Sequence, residues 1–364
     1  MVIIIYILHR EPLNHPNKQA ENSGRILNNL IPAFIVDKVK KNEMYGQIIA
    51  TTMFVDIIGF STITQSLAKY GKEGIEVLNK ILYEVFNPAI DEVHNNSGFV
   101  SSFEGDGFTS VFPEPANTHT VCQTALHISE AIRSSNPQKL KFDSCDFHVR
   151  IGLSHGPVDW GIVGSVDYST FYFKGSPIEN CAFLQKKCPD GKILLDQNLF
   201  RKIGEEIYCE NYKENYVLTG CKQKLNSSPP PIQSSQVDRE IAQRFHSVSM
   251  LDNKSAGEFR DVGCVFISMG LPELYKDIND VVGRILTIVA DFGGYFEGLS
   301  YDDNGAHCLI IFGAPSSCEN NALQAIEFAD YLRFQFNTEF RAGITFGQVF
   351  AGIKGSIQHS TYGV

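Results

Sequence analysis

A repeat whose two copies are offset by 191 positions constrains the fold of this chain more than any other feature. Arg150-Ile151-Gly152 returns as Arg341-Ala342-Gly343. The same offset relates four more pairs: Gly156 and Gly347, Gly161 and Gly352, Gly164 and Gly355, and Ser169-Thr170 and Ser360-Thr361. Because the repeat is as long as a domain, the sequence predicts two copies of one fold.

The length and local composition of the chain indicate its domain organisation. A chain of 364 residues exceeds what one hydrophobic core usually supports. The predicted units are an N-terminal leader (1–48), a first domain (49–220), a linker (221–258) and a second domain (259–364). The linker is indicated by Ser227-Ser228-Pro229-Pro230-Pro231, which favours neither a helix nor a central strand.

The order of the predicted elements is typical of an α+β fold. Thr51 to Val55 reads as a strand that enters a helix through a turn at Gly59. Two strands, Phe99 to Phe103 and Thr109 to Phe112, form a predicted hairpin, and a second hairpin is predicted around His155-Gly156-Pro157. Strand, helix, hairpin, helix and strand in this order disfavour a doubly wound sheet.

Two carboxylates interrupt apolar strands in the first copy. Asp56 follows Met53-Phe54-Val55, and Asp106 lies at the hairpin tip between two glycines. An ionised carboxylate at the edge of a buried strand is costly unless a cation or hydrogen-bond donors compensate it, so the pair indicates a metal site. Each acid also has an ordinary alternative role, Asp106 in a tight turn and Asp56 as a helix cap.

The second copy lacks both acids. No acid replaces Asp56 within Val265-Phe266-Ile267-Ser268, and the position of Asp106, counted back from Phe312, holds Ala306. Asp302 and Asp303 lie nearby but not in that place. The sequence therefore predicts one working site and one degenerate partner.

These motifs resemble those of class III nucleotidyl cyclase domains, in particular the tandem soluble, bicarbonate-responsive adenylyl cyclase type. The resemblance rests on Phe54-Val55-Asp56-Ile57-Ile58-Gly59-Phe60-Ser61, the hairpin at Asp106 and the two Arg-x-Gly repeats, and it covers most of the chain. It implies two ferredoxin-like domains in tandem, packed head to tail about a pseudo-two-fold axis with the active site between them.

The resemblance also implies a reaction and its residues. ATP, or alternatively GTP, would be converted to a 3',5'-cyclic nucleotide and pyrophosphate with two Mg²⁺ or Mn²⁺ ions, which stabilise the entering and leaving oxygens. The implied metal ligands are Asp56, Ile57 and Asp106. The implied nucleotide and phosphate contacts are Ile57, Ile58, Gly59, Phe60, Ser61, Arg150 and Val364. Without the resemblance, Arg150 would read as a solvated strand residue.

Departures from the family pattern leave the base and the activity open. The purine-reading positions hold Ser102 and Gly298, where many relatives carry Lys or Glu. The first copy has Asn180 but Leu184 in place of the family's transition-state Asn and Arg. In the second copy these two positions would follow Val364, so we expect the second domain to be truncated. The alternative function is a catalytically inactive pseudo-cyclase that binds nucleotide and regulates an attached domain.

Charge and cysteine usage limit the partners and the location. The net charge of −10 argues against a nucleic-acid partner or an anionic membrane surface. Nine scattered cysteines without a C-x-x-C pair are typical of free thiols in a reducing cytoplasm. Apart from the nucleotide, the expected partner of each cyclase domain is the other domain of the same chain.

Overall fold

The computed structural model places most of the chain in two β-sheets with helices on their faces. The residues that the structure describes are 30–59, 63, 66–67, 69–105, 107–134, 147–222, 237–252, 258–317, 319–336, 340–355 and 360–363. None of the helices within these ranges is long and apolar enough to cross a membrane.

The first sheet has eight strands and contains the first copy of the repeat. Its strands are β1 Tyr45–Ile58, β2 Phe99–Glu104, β3 Gly107–Pro113, β4 His148–Gly164, β5 Ser169–Lys174, β6 Ile193–Leu195, β7 Ile207–Tyr212 and β8 Asn215–Cys221. Seven of them follow the order β2-β3-β1-β4-β6-β8-β7, and β5 pairs with the end of β4. The long antiparallel pair β1 and β4 forms the centre of the sheet.

Helices cover both faces of this sheet. They are α1 Ala33–Lys40, α2 Gly71–Asn95, α3 Thr118–Ser134, α4 Ser176–Lys187 and α5 Gln197–Ile203. Met53, Val55 and Ile57 of β1 are buried in one cluster with residues of α2 and α3, whereas Phe54 packs against α4. Because successive residues of a strand point to opposite faces, Asp56 lies on the same face as α4.

The predicted second hairpin around His155-Gly156-Pro157 is wrong. These residues lie within β4, which pairs with β1 without interruption, and the true hairpin joins β4 to β5 across residues 165–168. Gly156 and Pro157 were misleading because both residues usually end strands. Pro157 is tolerated because it lies between the stretches of β4 that pair with β6 and β5, and among the described residues no strand pairs with that side of β4 at Pro157.

The second sheet repeats the first in a shorter form. Its strands are β9 Glu258–Met269, β10 Tyr295–Asp302, β11 Gly305–Phe312, β12 Phe340–Gly355 and β13 Ser360–Gly363. The helices of this part are α6 Arg239–Phe245, α7 Val248–Asp252, α8 Tyr275–Asp291 and α9 Asn321–Gln335. The strand order β10-β11-β9-β12-β13 matches β2-β3-β1-β4-β5 of the first sheet. The repeat in the sequence is therefore a repeat of topology.

The two halves pack through reciprocal elements. Helix α8 lies against β4, and its counterpart α2 meets β12, as a pseudo-two-fold relation requires. At the α8 side, the Tyr275 hydroxyl donates to the Ile162 carbonyl at 2.8 Å, and the Gly164 amide donates to Asn279 Oδ1 at 3.0 Å. The junction is thus hydrogen-bonded as well as apolar.

Two short helices occupy part of the segment expected to be a linker. Their apolar residues Ala242, Phe245 and Met250 are buried in the cluster that also contains the second sheet. His246, which follows α6, is 8% exposed, and its Nδ1 lies 3.3 Å from the Tyr295 hydroxyl. Burial lowers the pKa of His246 to about 4, against a smaller opposing effect of a backbone hydrogen bond at Leu30.

His246 should make folding stability depend on pH. The unfolded side chain has a pKa of about 6.5, so the unfolded state binds more protons between about pH 6.5 and pH 4. The contribution of neutral His246 is therefore complete above about pH 6.5 and is lost as the pH falls. Between pH 7 and pH 5, the natural protein should lose about 2 kcal/mol more stability than His246→Phe. Urea unfolding at both pH values measures this, with the exposed-histidine variant His148→Gln as control; equal pH dependence in the natural protein and His246→Phe would contradict it.

Candidate active site

Asp56 lies near the end of β1, in the middle of the first sheet. Its backbone is opposite Arg150 on β4 and opposite Gly107 on β3. The side chain of Asp56 is half-buried. The sequence-predicted carboxylate is thus at a strand end, on the face that also carries α4.

The second predicted carboxylate, Asp106, lies outside the described residues, as do Phe60, Ser61 and Val364. Both neighbours of Asp106 are described: Gly105 has a φ of 63°, in the left-handed region, and Gly107 begins β3 opposite Asp56. The residue that follows Asp106 in the sequence is therefore paired with Asp56 across the sheet.

A turn follows Asp56 and leads into a helical segment. Ile57 is buried, Ile58 is half-buried, and Gly59 adopts a φ of 95°. This φ is in a region that glycine enters at little cost. The Ile63 amide donates to the Gly59 carbonyl at 3.2 Å, which is a helical hydrogen bond. A strand, a glycine turn and a helix start in this order are a common anion-binding arrangement.

Helix α4 approaches this strand end from the face of Asp56. Its first turn is held by Thr52, whose hydroxyl donates to the Pro177 carbonyl at 2.7 Å. Near its last turn, Gln185 Nε2 donates to Asp56 Oδ2 at 2.6 Å. Gln185 was not predicted as a site residue, because it is 129 positions from Asp56 in the sequence.

Arg150 is paired with a different acid. Its Nε and Nη2 lie 2.9 and 2.8 Å from Oδ1 of Asp190, and the side chain is one-third exposed. Arg150 also lies opposite Asp56 in the strand register. The structure therefore brings Arg150 beside the site with its guanidinium bound to Asp190.

Ion pairs connect the region around Asp56 to the second half of the chain. Lys186 of α4 forms ion pairs with Asp302, at 3.4 Å, and with Asp303. Glu104, at the end of β2, accepts a hydrogen bond from the Ser102 hydroxyl at 3.1 Å. Burial, and next the nearby Asp302, raise the pKa of Glu104 to about 7, whereas Ser102 and Lys186 act in the opposite direction.

The strand registers identify the residues of the second half that correspond to the site. Arg341 lies opposite Ser268, as Arg150 lies opposite Asp56. His307 lies opposite Ser268, as Gly107 lies opposite Asp56, so Ala306 corresponds to Asp106. The second half thus has a hydroxyl and a methyl group where the first half has two carboxylates.

The same comparison aligns the predicted purine-reading positions. Ser102 pairs with Thr109 directly after a register shift in β2, and Gly298 pairs with Leu309 directly after the same shift in β10. The two positions are therefore equivalent, and neither carries a charged side chain. Leu184, at the position of the family's Arg, is buried in a small apolar cluster with Cys188.

The residue types at the first strand end suit a hard divalent cation. Mg²⁺ and Mn²⁺ prefer carboxylate and carbonyl oxygens, and Mg²⁺ needs few protein ligands because it retains waters and substrate phosphates. Asp56 provides such oxygens, and the sequence has a second carboxylate, Asp106, directly before Gly107, which is opposite Asp56. Within the described ranges, which omit Asp106, no group of three or more His, Cys, Asp or Glu could hold a metal ion.

Comparison with known proteins identifies the class to which this fold and site belong. Residues 42–225, slightly more than half of the chain, match the family model of the adenylate and guanylate cyclase catalytic domain. The chain therefore belongs to the adenylate and guanylate cyclase catalytic domain family. The matched residues contain Asp56, Asp106 and helix α4.

Curated relatives agree with the family. An adenylate cyclase of Mycobacterium tuberculosis is 26% identical over 211 residues, which are 54% of this chain and 42% of that protein. Adenylate cyclase type 9 of Gallus gallus is 24% identical over 173 residues, which are 43% of this chain and 12% of that protein. The chain thus spans less than half the length of either relative.

A solved structure has the fold of the whole chain. A class III adenylyl cyclase-like ATP-binding protein from Pseudomonas aeruginosa aligns over 97% of this chain and 88% of its own, with a TM-score of 0.55 and 13% identity. This likeness concerns the fold alone. Together with the two sheets, it confirms the predicted α+β fold of paired cyclase-type domains.

Proposed function

We propose that this protein is a purine nucleotide cyclase of the tandem soluble type, which forms a 3',5'-cyclic nucleotide and pyrophosphate for signal transduction. The observation that carries the proposal is the placement of Asp56 at the end of β1, opposite the residue that follows Asp106, within the part of the chain that matches the family. The first domain supplies the metal site, and the second domain closes the cleft.

Asp56, Ile57 and Asp106 would hold two Mg²⁺ or Mn²⁺ ions, which when bound stabilise the entering and leaving oxygens of the displacement. The backbone amides from Ile57 to Ser61 would bind the triphosphate at the turn that enters the helix. Arg150 and Val364 would add nucleotide contacts, and binding would require the Arg150 guanidinium to leave or share Asp190.

ATP is the proposed substrate and GTP the alternative. The two relatives named above are adenylate cyclases, but a receptor-type guanylate cyclase of Caenorhabditis elegans is equally similar, 26% identical over 150 residues, so both substrates are kept. The neutral Ser102 and Gly298 give no charged contact to either purine, so the base must be assigned by experiment. The corresponding residues Ser268 and Ala306 offer no carboxylate, so we propose one metal site per chain.

The domain organisation is proposed as a first cyclase domain over 49–220 and a second over 259–364. A cytoplasmic location is supported by cysteine usage: the described cysteines are free thiols. The same assay, run with and without bicarbonate or calcium, tests whether either ion regulates the activity.

The test is product formation from ATP and from GTP with Mg²⁺ or Mn²⁺, analysed by chromatography for the cyclic nucleotide and pyrophosphate. It should be run on this chain and on any longer form that its gene encodes. The expected result is cAMP in metal-dependent amounts. Metal-dependent nucleotide binding without product in every form of the chain would instead indicate the regulatory pseudo-cyclase.

A further inference from the structure

Gln185 makes a contact with Asp56 that the family pattern did not predict. The residue is only 6% exposed, and its amide Nε2 lies 2.6 Å from Asp56 Oδ2. A short hydrogen bond to an ionised carboxylate is stronger than a neutral one, especially where water is largely excluded. The contact therefore restrains the orientation of the Asp56 side chain.

The backbone of α4 is held where this contact is possible. Gly152 of β4 lies beneath the helix, and a Cβ added there would come within 2.0 Å of the Cys181 carbonyl oxygen and 2.8 Å of the Gln185 amide nitrogen. Thr52 of β1 holds the first turn of the helix. The helix that carries Gln185 is thus packed against β1 and β4, the two strands that carry Asp56 and Arg150.

We propose that Gln185 is a positioning residue for the carboxylate of Asp56, an inference that rests on the proposed function. By donating to Oδ2, the amide sets the orientation of the carboxylate before a divalent cation binds. A group that orients a metal ligand commonly changes metal affinity by about 10-fold to 100-fold when it is removed. A residue that only packs would instead change stability and leave metal affinity unchanged.

The experiment measures Mn²⁺ binding by the full chain with a non-hydrolysable ATP analogue, from the electron paramagnetic resonance signal of free Mn²⁺. Gln185→Met keeps the length of the side chain and removes the donor, and Gln185→Leu is a second replacement. Both should raise the Kd for Mn²⁺ about 10-fold. Their thermal unfolding should stay close to that of the natural protein. Gln197→Met is the matched control, because Gln197 is exposed and its two hydrogen bonds in the part of the chain described, to the Glu214 carbonyl and from Arg201 Nη2, are both long at 3.4 Å.

The outcomes separate this inference from the proposed function. A Kd for Mn²⁺ within twofold of the natural value in folded Gln185→Met, with binding lost in Asp56→Asn, would overturn the role of Gln185 and leave the metal site intact. Mn²⁺ binding that is absent from the natural protein, or unchanged in Asp56→Asn, would overturn both. If Gln185→Leu does not fold, Gln185→Met decides the question.

Discussion

Asp56→Asn should lower the rate of cyclic nucleotide formation by at least about 100-fold. Bound metal ions contribute several kcal/mol of transition-state stabilisation, and each 1.36 kcal/mol corresponds to a factor of ten. The change keeps the shape of the side chain but removes its charge, so Gln185 still finds an oxygen acceptor. The measurement is the steady-state rate at saturating nucleotide over a range of Mn²⁺ concentrations.

The corresponding residue of the second half provides the matched control. Ser268 occupies the place of Asp56 in the strand register, and it is half-buried like Asp56. Ser268→Ala should leave the rate within about twofold, because Ser268 has no carboxylate and the proposed metal ions bind in the first half of the chain. An equal loss of rate in Asp56→Asn and Ser268→Ala would mean that the strand register does not identify which half of the chain holds the metal site.

Gly152→Ala should destabilise the first domain by at least about 2 kcal/mol. The added Cβ would meet the backbone of α4 at 2.0 Å, so the helix or the strand must shift. Urea unfolding followed by the fluorescence of Trp160 measures the effect. Trp160 is the single tryptophan of the chain, it is buried, and it lies on the same strand as Gly152. Displacement of α4 should also weaken the contact between Gln185 and Asp56.

Gly343→Ala is the control for this substitution. Gly343 is the repeat partner of Gly152, and a Cβ there would meet no heavy atom within 4 Å in the part of the chain that the structure describes. Its effect on stability, followed by circular dichroism, should lie within about 0.5 kcal/mol. A similar loss in both variants would indicate a cost of strand backbone geometry rather than of helix packing.

Much of the fold could be predicted from the glycines that recur at a fixed offset. In the first copy these glycines mark close approaches: Gly152 allows α4 to touch β4, and Gly161 receives the ring of Tyr172. The long strand β4 could not be predicted, since Gly156 and Pro157 are local signals for a turn. Their effect is overridden by pairing with β1, which is distant in the sequence.

The candidate site was predictable in part. Asp56 stands out because an acid in an apolar strand needs compensation. Gln185 and Lys186 gave no such signal, since a polar residue near the end of a helix is ordinary. Their partners, Asp56 and Asp302, are separated from them by 129 and 116 positions. Only the packing of α4 between the two halves reveals that these side chains meet acids on both sides.

The proposed function requires one metal-dependent nucleotide site per chain, built on Asp56 and Asp106. Isothermal titration with non-hydrolysable ATP and GTP analogues, with and without Mn²⁺, measures whether such a site exists. We expect one nucleotide per chain, bound only with metal, and no binding by the double variant Asp56→Asn, Asp106→Asn. Nucleotide binding that does not require metal and persists in the double variant would contradict this expectation. So would two equal nucleotide sites per chain.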